Sequence, residues 1–290
     1  MKTELSHPRT LVRHSRFLSR CLGCVVLLVI VFNPAAFSAP AGVLSNAVVS
    51  DTSLISLFDS EVRPRLQLPA DESLAYSLRL QQALQAAQVQ IDSPQIVVLI
   101  DRSQKVQAAL IFMGSTWQGW RLIGATPVST GLPGQFDHFI TPLGVFDHSL
   151  DNPDFRAEGT KNEQGFRGYG IKGMRVFDFG WVQAERGWGK GGLSEMRLQM
   201  HATDPDLAEG LLGLARSKGC VRIPATLNSF IDRYGLLDEA YIKRAAEGGN
   251  FWVLRKDQAP TAFSGRYLVV VDSERATRPD WSPQPPKRVR

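Results

Sequence analysis

Residues 198–223 read LQMHATDPDLAEGLLGLARSKGCVRI, and this stretch decides how the chain is interpreted. The short apolar segment from Leu198 to His201 predicts a strand that ends at the histidine. The pair Asp204-Pro205 is typical of a helix cap and first turn, so a helix is expected to run to about Ala215. The histidine and the turn after this helix lie on different elements, and only the fold can bring them together.

That later turn, Ser217-Lys218-Gly219-Cys220, has the composition of a nucleophile site. A thiol nucleophile needs a base that takes its proton and donors that hold the oxyanion formed when a carbonyl is attacked. Histidine is the usual base, because its pKa lies near neutrality. A glycine before the cysteine allows close backbone approach and frees N–H groups to point at a substrate. We therefore predict Cys220 as nucleophile and His201 as general base, with a thiol that alkylates at neutral pH faster than a free peptide thiol.

Charge and composition exclude other classes of protein. The chain has 290 residues, of which 43% are hydrophobic and 21% charged, as in ordinary globular proteins. Its formal net charge is +5, but residues 1–38 hold five of the 33 basic residues and one of the 28 acidic residues. The 28 basic and 27 acidic residues that remain nearly cancel. No nucleic-acid partner is expected.

The N-terminus has the order of segments found in secretory leaders. Basic residues end at Arg20, an apolar run extends from Cys21 to Phe32, and small residues follow up to Ala41. The apolar run is shorter than the roughly 20 residues that cross a bilayer as a helix. Residues 1–39 are therefore predicted to be a signal peptide, and an uncleaved membrane anchor is the alternative. The mature chain is expected in the periplasm or cell envelope, without a stable membrane span.

Export changes how the three cysteines are interpreted. Cys21 and Cys24 belong to the predicted leader, which leaves Cys220 alone in the mature chain. A lone cysteine cannot form an internal disulfide in an oxidising compartment, and it risks pairing with another molecule. This argument leaves open both a reactive thiol and a small buried apolar side chain.

The rest of the chain has a mainly β pattern with helices at one side. A stretch rich in Leu, Ala and Gln, from Asp71 to Gln90, lacks Gly and Pro and predicts a helix. Apolar runs predict strands at 96–100, 106–112 and 121–128. The later predicted elements are a helix at 224–235 and strands at 251–254 and 266–271.

Two segments have unusual compositions. Residues 159–192 contain ten glycines together with several aromatic side chains, which predicts either a lid over a functional site or a decorated hairpin. Residues 277–290 hold four prolines and four basic residues and are expected to form a disordered tail.

The decisive stretch resembles the catalytic motif of the L,D-transpeptidase (YkuD-type) family. That motif is a histidine, about fifteen residues, and Ser/Thr-His-Gly-Cys followed by an apolar residue and Arg. Here fifteen residues separate His201 from Ser217, and Val221-Arg222 follow the cysteine. Two upstream segments, Ser129-Thr130-Gly131 and Thr141-Pro142-Leu143-Gly144-Val145-Phe146, are similar to the family's Ser-Thr-Gly and Thr-Pro-x-Gly-x-Phe elements. The resemblance covers roughly residues 95–254.

The resemblance implies a mainly β (α+β) fold, a β-sandwich or barrel with peripheral helices and a glycine-rich insertion. The implied organisation is a signal peptide at 1–39, an N-terminal helical segment at 40–94, a catalytic domain at 95–256, and a C-terminal strand and basic tail at 257–290. The implied reaction is attack of the cysteine on the L-to-D peptide bond of a peptidoglycan stem tetrapeptide. An amine of another stem then resolves the thioester. No metal or cofactor is implied, and the oligomeric state stays unknown.

The resemblance also assigns roles to the residues around the nucleophile. The Ala202 carbonyl would orient the histidine, and the backbone N–H of Gly219 would bind the oxyanion. Ser217 and Lys218 would contact substrate. Arg222 would either form a structural contact that holds the loop or meet a substrate carboxylate. Lys218 stands where the family usually has histidine, and we predict that its backbone matters more than its side chain.

Several alternatives remain open on sequence alone. The same site in an L,D-carboxypeptidase would use water as the acceptor, and a wall-binding protein could keep the fold without activity. His138 and His148 flank Thr141 and could line the groove, although two polar surface histidines are the simpler interpretation. The sequence does not choose the acceptor amine or the diamino acid of the stem.

Overall fold

The computed structural model describes residues 51–284 of the chain. The predicted signal peptide, the first part of the predicted N-terminal segment and residues 285–290 of the predicted tail lie outside the described residues. No helix within 51–284 is long and apolar enough to cross a membrane.

The described residues form two open sheets with a few helices, an α+β fold in which sheet predominates. The strands are β1 Gln95–Asp101, β2 Ala108–Ser115, β3 Gly119–Pro127, β4 Gly144–Asp147, β5 Phe155–Arg156, β6 Arg175–Glu185, β7 Leu193–Ala202, β8 Val221–Ile223 and β9 Tyr267–Val271. The first sheet has the order β3-β2-β1-β9-β4, and the second has the order β5-β6-β7-β8. Neither sheet closes on itself, so the barrel alternative is wrong.

The helices are α1 Asp51–Glu61, α2 Ala70–Ala86, α3 Ala225–Tyr234 and α4 Glu239–Ala246, with a short 3₁₀ turn at Glu209–Leu211. The predicted helices at 71–90 and 224–235 are found as α2 and α3. Helix α1 was not expected, because only a few of its side chains are apolar. Leu54 and Phe58, one turn apart, are buried and anchor it to the core.

The first sheet is buried on both faces, which explains why β1 is an uninterrupted apolar run. Val98 and Ile100 point into a core shared with the second sheet, α1 and α3. Val97 and Leu99 point the other way, into a separate core under α2. Because successive side chains of a strand face opposite sides, a strand covered on both sides needs apolar residues at every position.

Two predicted elements are wrong. The helix expected from Asp204 to Ala215 is only the short 3₁₀ turn, since Gly213 adopts a positive φ of 98° that an α-helix excludes. The strand expected at 251–254 is a turn. The Val253 carbonyl there accepts a hydrogen bond from Arg156 and joins no sheet ladder.

The expected disordered tail is ordered and packed as far as residue 284. The ring of Trp281 contacts that of Tyr76 edge-on, with centroids 5.7 Å apart. Arg278 donates to the carbonyls of Pro283 at 2.6 Å and Gln104 at 2.7 Å. The partly buried ring of Trp281 and several hydrogen bonds offset the loss of conformational entropy on ordering the segment, which its polar composition suggested would prevail.

A buried network of charges joins the two sheets. Arg175, at the start of β6, is 0% exposed. Its guanidinium donates to Asp154 at 2.6 Å and to both carboxylate oxygens of Asp238, at 2.9 and 2.7 Å. It also lies 3.4 Å from Asp232 of α3, which pairs with Arg156. A buried charge is tolerated when it is paired and hydrogen-bonded in this way.

His148 belongs to this network, so the expectation of a surface histidine is wrong. It is 0% exposed, with Nδ1 2.8 Å from the Leu237 carbonyl and Nε2 2.8 Å from Asp154. Burial alone would lower the pKa of His148, but the Asp154 carboxylate outweighs it and the pKa is raised. With acceptors at both ring nitrogens, His148 is held as an imidazolium.

We expect Arg175→Met to lower the free energy of unfolding by about 3–5 kcal/mol, because it leaves buried carboxylates without their cation. The matched control is Arg244→Met, which removes an exposed pair with Glu247 and should cost less than about 1 kcal/mol. Urea unfolding followed by tryptophan fluorescence compares the two. Equal losses in the two variants would contradict a central role for the network.

Candidate active site

The pairing of β7 with β8 brings the two predicted catalytic residues together. These strands are parallel, with Met200 opposite Val221 and His201 opposite Arg222. Because side chains alternate between the faces of a sheet, Met200 and Val221 point into the core, whereas His201 and Arg222 share the outer face. Cys220, two residues before Arg222, falls on that same outer face. Cys220 and His201, which are distant in sequence, therefore lie on one face of two neighbouring strands at the edge of the second sheet.

The turn that presents Cys220 is held by its own serine. The Ser217 hydroxyl donates to the Cys220 carbonyl at 2.6 Å and accepts from the Gly219 N–H at 3.0 Å. Ser217 is buried, so we assign it to holding the turn and not to the predicted contact with substrate. The Gly219 N–H, assigned by the resemblance to the oxyanion, is engaged within the turn.

Glycine is required at position 219. Its φ of 130° lies in a region that other residues rarely adopt. An added Cβ would lie 2.9 Å from Met196 and 3.0 Å from Phe139, closer than ordinary packing permits. The glycine therefore sets both the backbone path and the close approach of the turn to its neighbours.

Residues of the two upstream motif segments form hydrogen bonds with this turn. The Thr141 hydroxyl donates to the Gly219 carbonyl at 2.7 Å and accepts from the Gly131 N–H at 2.9 Å. The Ser217 N–H donates to the Thr130 carbonyl at 2.9 Å. Thr130 is fixed in turn by the buried side chain of Gln107. Each motif segment therefore supplies a hydrogen-bond partner to the turn, which gives a structural reason for the presence of both segments.

His201 is oriented so that one ring nitrogen remains available as a base. Its Nδ1 lies 2.7 Å from the Ala202 carbonyl, the partner that the resemblance implied. Because a carbonyl oxygen can only accept, Nδ1 carries the proton and Nε2 is left as an acceptor. Burial, assisted by the positive charge of Arg222, lowers the pKa of His201 to about 4. At neutral pH the imidazole is uncharged.

The Cys220 thiol is also uncharged in the resting protein. Burial raises its pKa, which the Gln199 N–H and the charge of Arg222 oppose only in part. The sulfur lies 3.8 Å from the carbonyl of Arg197. Burial therefore keeps both the thiol and the imidazole uncharged at neutral pH. This direction argues against the fast alkylation expected from the sequence, and the measurement described below tests it.

A hydrogen-bonded row that sequence reasoning missed borders the pair. The Tyr169 ring contacts the His201 ring edge-on, with centroids 4.6 Å apart, and its hydroxyl lies 3.1 Å from Gln199 Oε1. Gln199 Nε2 and Arg197 Nε each donate to the buried Asp178 carboxylate at 2.8 Å. Alternation along β7 was the available signal, because positions 197, 199 and 201 share a face.

Tyr169 also shows how the glycine-rich segment relates to the site. Residues 155–162, 166 and 168–170 line an open groove of about 530 Å³, and Tyr169 is one of these lining residues. The later part of the segment is the regular strand β6. The first part of the glycine-rich segment therefore lies beside His201, which Tyr169 contacts, and the later part belongs to the sheet as β6.

Lys218 points away from the thiol. Its ammonium pairs with Asp137 at 2.9 Å, and its side chain is 64% exposed. Its carbonyl accepts from the Phe139 N–H at 3.0 Å, another bond that fixes the turn. His138 is partly exposed beside this loop. Within residues 51–284 no group of histidine, cysteine or acidic side chains is arranged to hold a metal ion.

The uncharged state of Cys220 and His201 predicts how the rate of thiol alkylation depends on pH. We expect the rate of Cys220 alkylation by iodoacetamide to rise with pH around a midpoint above about 8.5, the value of a free thiol, because only the thiolate reacts. A thiolate–imidazolium pair would instead give a plateau between about pH 5 and 7. Peptide mass spectrometry resolves the modification of Cys220 from that of other thiols. A plateau of that kind would show that the pair is ionised at rest.

Comparisons with known proteins were made for the whole chain. No family model matches the sequence, and no curated protein matches it. Among solved structures, one similar chain is the helical cell shape determining protein Pgp2 from Campylobacter jejuni, at 11% identity and a TM-score of 0.30. The match covers 80% of this chain and 58% of that one. A likeness at this level carries no inference about fold or function.

Proposed function

We propose that the protein is a peptidoglycan L,D-transpeptidase of the cell envelope, which works through a Cys220 acyl-enzyme. The observation that carries the proposal is the meeting of Cys220 and His201 on one face of adjacent strands. The turn at 217–220 is hydrogen-bonded by the segments at 129–131 and 141–146, which resemble the family's upstream motifs. These bonds support a YkuD-type arrangement. The leader pattern in residues 1–39 supports export. An inactive wall-binding protein would not need a correctly oriented imidazole beside its one cysteine in the described chain.

The first half of the reaction forms a thioester. The Cys220 sulfur attacks the carbonyl carbon of the third stem residue, while its proton passes to Nε2 of His201. The C–N bond to the terminal D-amino acid then breaks, and the imidazolium returns the proton to the departing amine. With a pKa of about 4 the imidazole is uncharged at neutral pH and able to accept the proton, and the low pKa makes it a weak base in the unliganded protein.

The oxyanion requires N–H donors from the turn. The Cys220 N–H lies beside the attacking sulfur and is the donor we assign first. The Gly219 N–H could join it only by giving up its bond to the Ser217 hydroxyl. Substrate binding would therefore shift this turn slightly, in exchange for a charge-assisted hydrogen bond.

The second half of the reaction resolves the thioester. An acceptor amine attacks the thioester carbonyl, a C–N bond forms, the C–S bond breaks, and His201 takes the proton of the amine. The groove beside Tyr169, with a volume of about 530 Å³, falls within the range of ligand pockets, and we assign it to the acceptor stem. The L,D-carboxypeptidase alternative uses the same first half, with water as acceptor, and is separated from transfer by the products.

Incubation of the protein with muropeptides that carry tetrapeptide stems tests the proposed function. We expect loss of the terminal D-alanine and formation of cross-linked dimers, both detected by mass spectrometry, with an acyl adduct on Cys220. Cys220→Ala should abolish the adduct and the turnover, because the Ser217 hydroxyl in the same turn is buried and hydrogen-bonded and the Lys218 ammonium is paired with Asp137. Release of D-alanine without dimers would identify the carboxypeptidase. Unchanged turnover in the variant would overturn the mechanism.

The position of Lys218 gives a second prediction. Its ammonium is exposed and paired with Asp137, so Lys218→Ala should keep a substantial part of the acylation rate. His201→Ala should lose at least about 100-fold, the lower range for a general base. Acylation rates across a range of pH compare the two variants, with thermal unfolding as the check on folding. Equal inactivity of two folded variants would make Lys218 a chemical participant.

A further inference from the structure

A groove lies between the end of α2 and the turn that joins β2 to β3. Its volume is about 490 Å³, within the range of ligand pockets. We call it the glutamine groove, because its lining is mostly carboxamides and one indole, from Gln81, Gln85, Gln88, Gln90 and Trp117. Helix α2 covers the face of the first sheet that points away from the second sheet. Both sheets therefore lie between this groove and the catalytic pair.

The glutamine groove is built from two segments without charge. Residues 80–91 and 108–120 contain no Asp, Glu, Lys, Arg or His, although 21% of the chain is charged. The solvent face of a surface helix normally carries charged side chains, and that of α2 carries glutamines at this end. A ligand that depends on ion pairs would find no partner in this lining. The composition favours a neutral ligand, which is recognised by hydrogen bonds and by apolar contact.

Trp117 presents an indole face at the edge of the groove. It lies in the turn between β2 and β3 and is 71% exposed. Its Nε1 donates to Asp92 at 3.2 Å, which fixes the orientation of the ring. The turn is fixed as well, because the N–H and the hydroxyl of Thr116 donate to the Ile91 carbonyl at 3.0 and 2.9 Å. A fixed, exposed indole is a surface on which the apolar C–H face of a sugar ring can stack.

The glutamines differ in what their carboxamides bind. Gln81 is engaged, since its Oε1 accepts from Trp120 Nε1 at 2.9 Å and its Nε2 donates to the Thr116 carbonyl at 3.3 Å. The carboxamides of Gln85 and Gln88 form no hydrogen bond within residues 51–284. Each offers a donor and an acceptor side by side, which matches the paired hydroxyl groups of a sugar.

Gln88 occupies a position at which the fold would favour glycine. Its N–H donates to the Gln85 carbonyl at 3.0 Å, and the Val89 N–H donates to the Leu84 carbonyl at 2.9 Å. These two bonds form a Schellman motif, whose left-handed position is most often glycine. Gln88 adopts that conformation with a φ of 55°, which is unfavourable for a residue with a Cβ. A side chain that adds conformational strain and forms no hydrogen bond in the described chain points to a role in binding.

We propose that the glutamine groove binds a neutral oligosaccharide, with one sugar ring stacked on Trp117 and hydroxyl groups hydrogen-bonded to Gln85 and Gln88. Such a ligand matches the uncharged lining, the unengaged carboxamides and the exposed ring together. The inference goes beyond the proposed function, because the groove is a second site that shares no residue with the catalytic pair. In an enzyme of the cell wall, this site would bind a glycan strand while the active site acts on its stems.

Calorimetry with the hexamer of N-acetylglucosamine tests the inference, in the Cys220→Ala protein so that turnover plays no part. We expect saturable binding that changes less than about twofold between roughly 50 and 500 mM NaCl, because no ion pair contributes. Trp117→Ala should weaken binding about tenfold through loss of the stacking surface. The matched control is Trp252→Ala, at a tryptophan that is 73% exposed outside the groove, which should leave the affinity unchanged.

Two further substitutions separate binding from folding. Gln85→Leu should weaken binding about fivefold, the effect of one neutral hydrogen bond, whereas Gln82→Leu, exposed on the same helix outside the groove, should have no effect. Gln88→Gly should weaken binding and keep or raise the Tm, because glycine adopts the left-handed conformation without strain.

Absence of saturable binding of the hexamer, or an equal loss in the Trp117 and Trp252 variants, would overturn the inference. Unchanged affinity in both Gln85→Leu and Gln88→Gly would also overturn it. Absence of turnover on every muropeptide, with binding of the hexamer intact, would instead count against the proposed function alone.

Discussion

The pairing of Arg175 with its buried carboxylates is the interaction on which the arrangement of the two sheets depends. Arg175 begins β6, Asp154 precedes β5, Asp232 belongs to α3, and Asp238 lies between α3 and α4. His148, which follows β4 of the first sheet, is tied to the same Asp154. Three cations, with Arg156 as the third, face three carboxylates. Each charge is therefore compensated only when both sheets and α3 are in place, which makes the network specific for one arrangement.

The backbone N–H of Asp178 connects the candidate active site to this network. Asp154 accepts a hydrogen bond from the Asp178 N–H at 2.9 Å, and the Asp178 side chain then orients Gln199 and Arg197. The register is irregular after Asp178, and the N–H of Gly180, which has a φ of 82°, donates to the other oxygen of this carboxylate at 2.9 Å. The buried charges thus fix the strand that carries His201, while the motif segments fix the turn that carries Cys220. Two independent sets of interactions therefore hold His201 and Cys220 in place.

Local signals in the sequence were sufficient for strands β1, β2, β3, β7 and β9 and for helices α2 and α3. They failed where a residue's role depends on tertiary partners. His148 is a polar residue that becomes buried because Asp154 and the Leu237 carbonyl satisfy it, and residues 277–284 are ordered because Trp281 finds Tyr76. Tyr169 was one of several aromatic residues in a glycine-rich segment, with nothing in its neighbours to single it out. The helix expected after Asp204 failed for a local reason, the glycines at 210 and 213.

Cys220 and His201 are both uncharged at neutral pH, and Arg222 forms no ion pair among the described residues. These two features are consistent with each other. If the thiol were ionised, its charge would partly compensate Arg222; burial raises the pKa of Cys220 instead, and the guanidinium stays without a partner.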